Sequence, residues 1–229
     1  MSTIASRLQV VQSRIQAACA ASGRAPGAVR LIAVSKTFAA EAVREACEAG
    51  QQAFGENYLQ EALSKIEALP GLGLEWHFIG PVQSNKARDV ARNFSWVHSV
   101  DRLKLAERLS AARPENLAPL EICIQVNVSS EQSKNGCHPD ELAQLARAVA
   151  ALPGLKLRGL MTLPEATSDT NLQRRRFARL RDLKDELSAS GLGLDTLSMG
   201  MTDDLEAAIA EGATMVRVGR AIFGPRPVR

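Results

Sequence analysis

A chain of 229 residues is long enough for one large α/β domain or two small ones. It is 45% hydrophobic, 23% charged and 4% aromatic with a net charge of +3, too little charge to argue for nucleic acid, and no basic stripe is interleaved with aromatics. No apolar run approaches the roughly 20 residues that span a bilayer, and Cys19, Cys47, Cys123 and Cys137 lie far apart with no Cys-x-x-Cys, which suggests neither a zinc site nor a disulfide framework and fits a reducing cytosol.

No acidic residue precedes Glu41, whereas Arg7, Arg14, Arg24, Arg30 and Lys36 do. An acid-poor amphipathic start of this kind is compatible with an organelle transit peptide. The preferred reading is a docked helix from Thr3 to about Ala21 with Ile4, Leu8, Val11 and Ile15 on one face, because a strand follows after only a short Gly23–Gly27 connection. That strand, Leu31-Ile32-Ala33-Val34, ends in a polar Ser35-Lys36-Thr37 cluster.

A helix over Ala40–Glu48 stops at Gly50. Ala53-Phe54-Gly55 predicts a second strand, followed by a helix to about Leu69, and Glu75–Ile79 a third, followed by a helix from near Gln83. Ser95–His98 and then Asp101–Ala112 form the fourth unit, and Leu120–Val128 with Pro139–Leu152 the fifth. Leu155–Leu160 with Asn171–Ser188, Asp195–Leu197 with Asp203–Glu211, and Thr214–Val218 with Gly219–Phe223 complete the pattern. Eight strands, each followed by a helix, in about 29 residues per unit suit an α/β fold of the (β/α)8 TIM-barrel kind with an extra N-terminal helix, in a single domain over residues 1–229. A doubly wound open sheet is the alternative. It is weakened by the lack of a Gly-x-Gly-x-x-Gly after the first strand and by polar residues clustering after many different strands.

In a barrel the functional residues sit at the carboxyl ends of the strands. Those positions hold Lys36, Asn57, His77, Asn127, Met161-Thr162, Ser198 and Arg217. Lys36 either snorkels off a strand end or sits half inside an apolar mouth. There desolvation would favour the neutral amine, which can attack an aldehyde and form a Schiff base. Ser198-Met199-Gly200-Met201-Thr202 and Val218-Gly219-Arg220 leave the last two strands, the recurrent phosphate site of this architecture. Asp203 and Asp204 would repel a phosphate in the first turn, which places the anion nearer Gly200, Thr202 and Gly219; ordinary tight turns would explain the same glycines. Arg217 interrupts an apolar strand, and a buried guanidinium must be paired or hydrogen-bonded, either in a structural salt bridge or at a ligand. A Schiff-base amine, a phosphate cradle and a strand-borne arginine together describe a site for pyridoxal 5'-phosphate. The arginine, always protonated, would donate to the pyridine nitrogen and leave the ring a weaker electron sink than a pyridinium.

The segments Ala33–Thr37, Phe54–Tyr58, Trp76–Lys86, Leu197–Asp204 and Met215–Gly219 resemble, in order and across nearly the whole chain, the signatures of the YggS/PROSC family of pyridoxal phosphate homeostasis proteins. The resemblance implies the fold-type III barrel of the alanine racemase N-terminal domain. It also implies Lys36 as the Schiff-base lysine, Arg217 at the pyridine nitrogen, Ser198, Gly200, Thr202 and Gly219 around the phosphate, and Asn57 and His77 lining the cofactor. Arg220 departs from the small residue usual at its place. The family is thought to bind, store or deliver the cofactor within vitamin B6 and amino-acid balance, without an established reaction; possible acceptors are apoenzymes that use pyridoxal phosphate.

A two-base racemase needs an acid/base group on each face of its substrate. The related racemases supply the second as a tyrosine from another domain and subunit. This chain, which stops at Arg229 soon after the eighth unit, has only Tyr58. The leading expectation is therefore a cytoplasmic, monomeric cofactor-binding protein and not an enzyme. A pyridoxal-phosphate-dependent racemase or related enzyme is second, and a cofactor-free Schiff-base aldolase third. His77, His98 and His138 are too scattered for metal ligands, and His98 reads as a core or rim histidine. Lys86, and Lys134 in the Ser130–Gly136 loop, read as solvated lysines rather than anion ligands, and Arg174–Arg176 as an exposed helix face.

Overall fold

The computed structural model describes residues 3–129 and 135–225. Its strands are β1 Arg30–Val34, β2 Ala53–Glu56, β3 Glu75–Phe78, β4 Trp96–Val100, β5 Leu120–Gln125, β6 Leu155–Met161, β7 Thr196–Ser198 and β8 Met215–Val218. They pair in chain order, all parallel, and Arg30–Ala33 of β1 pair with Met215–Val218 of β8. That closure makes a TIM barrel and rules out the open doubly wound sheet. Around it run α1 Ile4–Ala21, α2 Ala40–Glu48, α3 Leu59–Ala68, α4 Ala87–Asn93, α5 Leu103–Ala112, α6 Pro139–Ala150, α7 Thr170–Ala189, α8 Leu205–Ala210 and α9 Arg220–Phe223.

Successive side chains of a strand face opposite sides. Leu31 and Ala33 join the large core under the helices, whereas Ile32 joins Ala53, Trp96, Cys123, Met161 and Met215 in a separate cluster inside the barrel. The same alternation turns His77, His98, Ser198 and Arg217, all buried, inward as a polar layer: His98 and Arg217 stand one inward step nearer the mouth than Trp96 and Met215, and His77 stacks on Trp96. The mouth opens over this polar layer.

Of the boundaries that differ from those the sequence predicts, three have a visible local cause. The strand expected to reach Val128 ends at Gln125, because Val126 bridges to Cys137 and the Gln125 amide donates to Asn135 O at 3.0 Å, which peels the chain off the sheet. The helix expected from Gln83 begins with a 3-10 turn, Ser84–Lys86. The helix expected from Asp203 starts at Leu205, since the Asp204 carboxylate accepts from the Met201 N–H at 2.5 Å and closes a turn instead. The expectations for Lys134 and much of its loop fall on residues 130–134, outside the described residues.

The N-terminal helix is docked. Thr3 caps it by accepting from the Ser6 N–H at 3.1 Å, and Ile4, Leu8, Val11 and Ile15 are buried against the barrel's outer layer, beside α8, α9 and α2. Two basic residues of this acid-poor segment serve that docking. Arg14 forms a forked pair with Glu206 at 2.9 to 3.1 Å, and Arg24 donates to Ile209 O and Ala213 O at 3.0 and 2.6 Å. Among the described residues no helix is long and apolar enough to cross a membrane.

Candidate cofactor site

Lys36 stands two residues beyond the end of β1, in a segment held at both sides. Ser35 is fully buried and donates from Oγ to Glu56 Oε1 at 2.6 Å. Thr37 adopts φ 71°, the only left-handed residue other than glycine among the described residues, and its N–H donates to Glu61 Oε1. A threonine there is strained, and such strain persists only where the surroundings over-determine it. The surroundings are a buried ion cluster: Lys65 Nζ lies 2.7 Å from Glu56 Oε1, 2.7 Å from Glu61 Oε1 and 2.8 Å from Ser35 O. The cluster clamps the backbone before and after Lys36, which leaves that side chain half-buried at the rim.

Across the mouth, Arg217 of β8 is 3% exposed. Its Nη1 donates to Ser198 Oγ at 2.6 Å and its Nη2 to Thr162 O at 2.9 Å. No carboxylate among the described residues pairs with it, so the structural salt bridge is not what holds it. Burial lowers its pKa to about 10, against the opposing pull of Asp204 and Cys123, so it stays protonated at neutral pH.

Between Lys36 and Arg217 lies a cavity of about 600 Å³, lined also by Asn57, Thr202, Gly219, Arg220 and Asp203, with Val34, Phe38, Ile79 and Leu163 as apolar wall. That volume suits a small cofactor. The donor set suits pyridoxal phosphate: one primary amine, one buried guanidinium with N–H groups to spare, a hydroxyl and a glycine turn against an apolar wall. Asn57 contributes a buried Oδ1 that no group among the described residues satisfies, which leaves an acceptor for a further partner in the cavity. Gly219 permits the closing of this wall, because a Cβ there would stand 3.0 Å from Val34 O.

The other three residues expected at the ligand lie beneath the cavity. Gly200 is buried with φ +95°, and a Cβ would meet that of Ala208 at 2.5 Å; it is required by the packing of its turn on α8. Ser198 and His77 belong to the polar layer below, where Ser198 supports Arg217 and His77 meets His98. His98 is a core histidine, fully buried. The feared repulsion from Asp204 is relieved because its carboxylate is folded back onto Met201 N–H, while Asp203 is largely exposed with Arg220 Nη2 at 3.5 Å. Sequence reasoning missed Glu56, Glu61 and Lys65; the i, i+4 spacing of Glu61 and Lys65 was a usable signal, but nothing local announces that both face inward.

The histidines predict an acid-sensitive fold. Burial pushes His77 down against the pull of Glu75, and burial, His77 and Arg217 push His98 further down. An unfolded chain takes up these protons near pH 6.5 and the folded one refuses them. Their stabilisation is therefore complete above about pH 6.5 and is lost as pH falls below it, at up to about 1.4 kcal/mol per pH unit for each ring. Urea midpoints measured from pH 8 to pH 5 are expected to hold level and then drop; a level midpoint throughout refutes the assignment.

Comparison with known proteins agrees with this geometry. Residues 7–227 match the family described as alanine racemase, N-terminal domain. A protein of Pseudomonas aeruginosa named pyridoxal phosphate homeostasis protein is 61% identical over 226 residues, covering 99% of this chain and 97% of its own. PipY of Synechococcus elongatus PCC7942, solved with PLP bound, superposes with a TM-score of 0.83 at 39% identity, covering 97% of this chain and all of that one. Alanine racemase of Corynebacterium glutamicum shares the fold, with a TM-score of 0.69 at 18% identity over 96% of this chain and 62% of the enzyme. The chain belongs to the alanine racemase N-terminal-domain family and, within it, to the group of pyridoxal phosphate homeostasis proteins.

Proposed function

We propose that this protein binds pyridoxal 5'-phosphate, holds it as a Schiff base on Lys36, and serves the homeostasis of that cofactor without turning over a substrate of its own. One observation carries the reading: a half-buried lysine and a buried arginine with no carboxylate partner among the described residues face one cavity of about 600 Å³ that ends in a glycine turn. The names of the relatives and the cofactor in PipY support it. Arg217 is the group to meet the pyridine nitrogen, Thr202 and Gly219 the phosphate, and Asn57 the ring substituents. Ser198 and Gly200 support those contacts from below, as does His77. When bound, the cofactor supplies an aldehyde and an electron-withdrawing ring.

Carrier behaviour follows from what the mouth lacks. A racemase needs a second acid/base group opposite the lysine. Tyr58, the chain's single tyrosine, is 52% exposed and is not among the residues lining the cavity. The acceptors would be apoenzymes that require pyridoxal phosphate, reached by a cytoplasmic monomer, a location that suits four unpaired cysteines.

The test is a spectrum followed by an exchange assay. Purified protein is expected to carry a visible absorption band from the covalently held cofactor; a colourless protein that still condenses with a sugar phosphate would make it an aldolase. Loaded protein incubated with single amino acids in deuterated water is expected to exchange their α-protons no faster than free pyridoxal phosphate does. Exchange at ordinary enzyme rates would overturn the carrier reading in favour of a racemase.

A further inference from the structure

Below the cavity, a line of hydrogen bonds crosses the barrel interior from the mouth to the opposite rim. Arg217 Nη1 donates to Ser198 Oγ at 2.6 Å, Ser198 Oγ meets His98 Nδ1 at 2.8 Å, His98 Nε2 meets His77 Nδ1 at 2.9 Å, and His77 Nε2 meets Glu75 Oε1 at 2.6 Å. Ser198, His77 and His98 are buried, while Glu75 reaches the amino-terminal rim, where Arg30 Nη1 pairs with it at 2.7 Å. Trp96 stacks on the His77 ring, 5.5 Å between centroids and 15° between planes, which fixes the ring's tilt.

The two ends dictate the direction of everything between them. A guanidinium can only donate, so Ser198 Oγ must accept from Arg217, and its single proton goes to His98 Nδ1. His98 then carries its proton on Nε2 and gives it to His77 Nδ1. His77 carries its own on Nε2 and gives it to Glu75, which as a carboxylate can only accept. Burial alone would raise Glu75, but the His77 bond and Arg30 hold it below its usual range, so it is ionised at neutral pH. The reverse order would set a bare His77 Nε2 lone pair against a carboxylate at 2.6 Å, which is repulsive. Both rings are therefore neutral, with the same tautomer.

We propose that Glu75, His77 and His98 form a one-way relay of positioning residues that locks the Ser198 hydroxyl as an acceptor and so aims the Arg217 guanidinium at the cofactor's ring nitrogen. The relay is a property of this chain's own groups; its effect on the ligand rests on the pyridoxal phosphate reading above. Two donors of Arg217 are spent on Ser198 and Thr162, and the others are left for the mouth. Bonds joined head to tail polarise one another, so a carboxylate at the far rim strengthens the last bond at the arginine.

The experiment has two readouts. Nitrogen-15 spectra of the histidine side chains in the wild-type chain, with and without cofactor, are expected to show His77 and His98 neutral and protonated at Nε2 alone. Protonation at Nδ1 in either ring overturns the relay, whatever the ligand does. Glu75→Gln, which puts an amide able to donate where only an acceptor stood, is expected to give mixed tautomers and to speed release of pyridoxal phosphate about ten-fold, the scale of one charge-assisted hydrogen bond. Arg30→Gln removes the surface pair but not the relay and is expected to leave the tautomers unchanged, which separates the relay from general support of β3. Ser198→Ala is expected to release the cofactor faster and Ser198→Thr, which keeps the hydroxyl, to restore retention. Unchanged tautomers in Glu75→Gln, or no rescue by threonine, would refute the proposal. A wild-type chain that shows the expected tautomers but binds no pyridoxal phosphate would instead sink the cofactor reading and leave the relay standing.

Discussion

Lys36→Ala is expected to abolish covalent retention of pyridoxal phosphate. Borohydride reduction of the loaded wild type should fix one cofactor to the peptide containing Lys36, and the variant should show no adduct in the same peptide map. The geometry leaves no substitute among the described residues: Lys36 is the single primary amine lining the cavity, and Lys65, which reaches the backbone beside it, is committed to Glu56, Glu61 and Ser35 O. Lys36→Arg should fail equally, because a guanidinium stays protonated and has no free pair with which to attack. Reversible binding through Arg217, Thr202 and Gly219 should survive in both variants with a faster exchange of cofactor. An adduct of wild-type yield in Lys36→Ala would displace the lysine from the role assigned to it.

Lys65→Met is expected to be the most destabilising single change near the site, at about 3–5 kcal/mol, the usual cost of leaving buried charges without their partner. Lys65 is 3% exposed and bridges two carboxylates, one of them wholly buried. Burial already pushes the Glu56 carboxyl up in spite of Lys65 and Ser35. Without the ammonium it rises further above its unfolded value, so the folded state binds the extra proton and stability climbs as pH falls. The deficit against wild type should therefore be larger at about pH 8 than at about pH 5.5, as read from urea midpoints. Adding Glu56→Gln should recover part of the loss, since the pair is then removed together. The same variant should form the Lys36 adduct more slowly, because Ser35 O and Thr37 N–H, which flank that lysine, both lose or loosen their anchor. Equal deficits at both pH values would mean that Glu56 is not the buried charge at issue.

Much of this architecture is legible in the sequence because the barrel is built from local periods. Short apolar runs alternate with amphipathic ones, and Gly50 and Gly212 mark helix ends, so the order of elements and the docked α1 follow from patterning. Lys36 and Arg217 stand out for the same reason, as charges at the ends of apolar strands. What patterning does not carry is depth. Ser198, Gly200 and His77 lie in strand or turn segments expected at the ligand, yet inward alternation puts the first and third one layer down, and the φ of Gly200 serves packing against Ala208. The Glu56–Lys65–Glu61 cluster is legible only as an i, i+4 pair of Glu61 and Lys65, because it joins the end of β2 to a helix face, and a lysine in an amphipathic helix reads as solvent-facing until the tertiary structure buries it. The relay from Arg217 to Glu75 draws on β3, β4, β7 and β8, a pairing across more than a hundred residues that no local signal encodes.

The strap that holds the N-terminal helix has a reach beyond docking. Arg14, besides gripping Glu206, donates from Nη2 to the Thr202 carbonyl at 3.0 Å, so the first helix is fastened to a residue of the mouth itself. A brief local detachment of that helix would free the rim at Thr202 while the closed barrel stays intact. Amide hydrogen exchange in α1 and the escape of bound cofactor should then share one opening rate, with the clasp setting the clock for release.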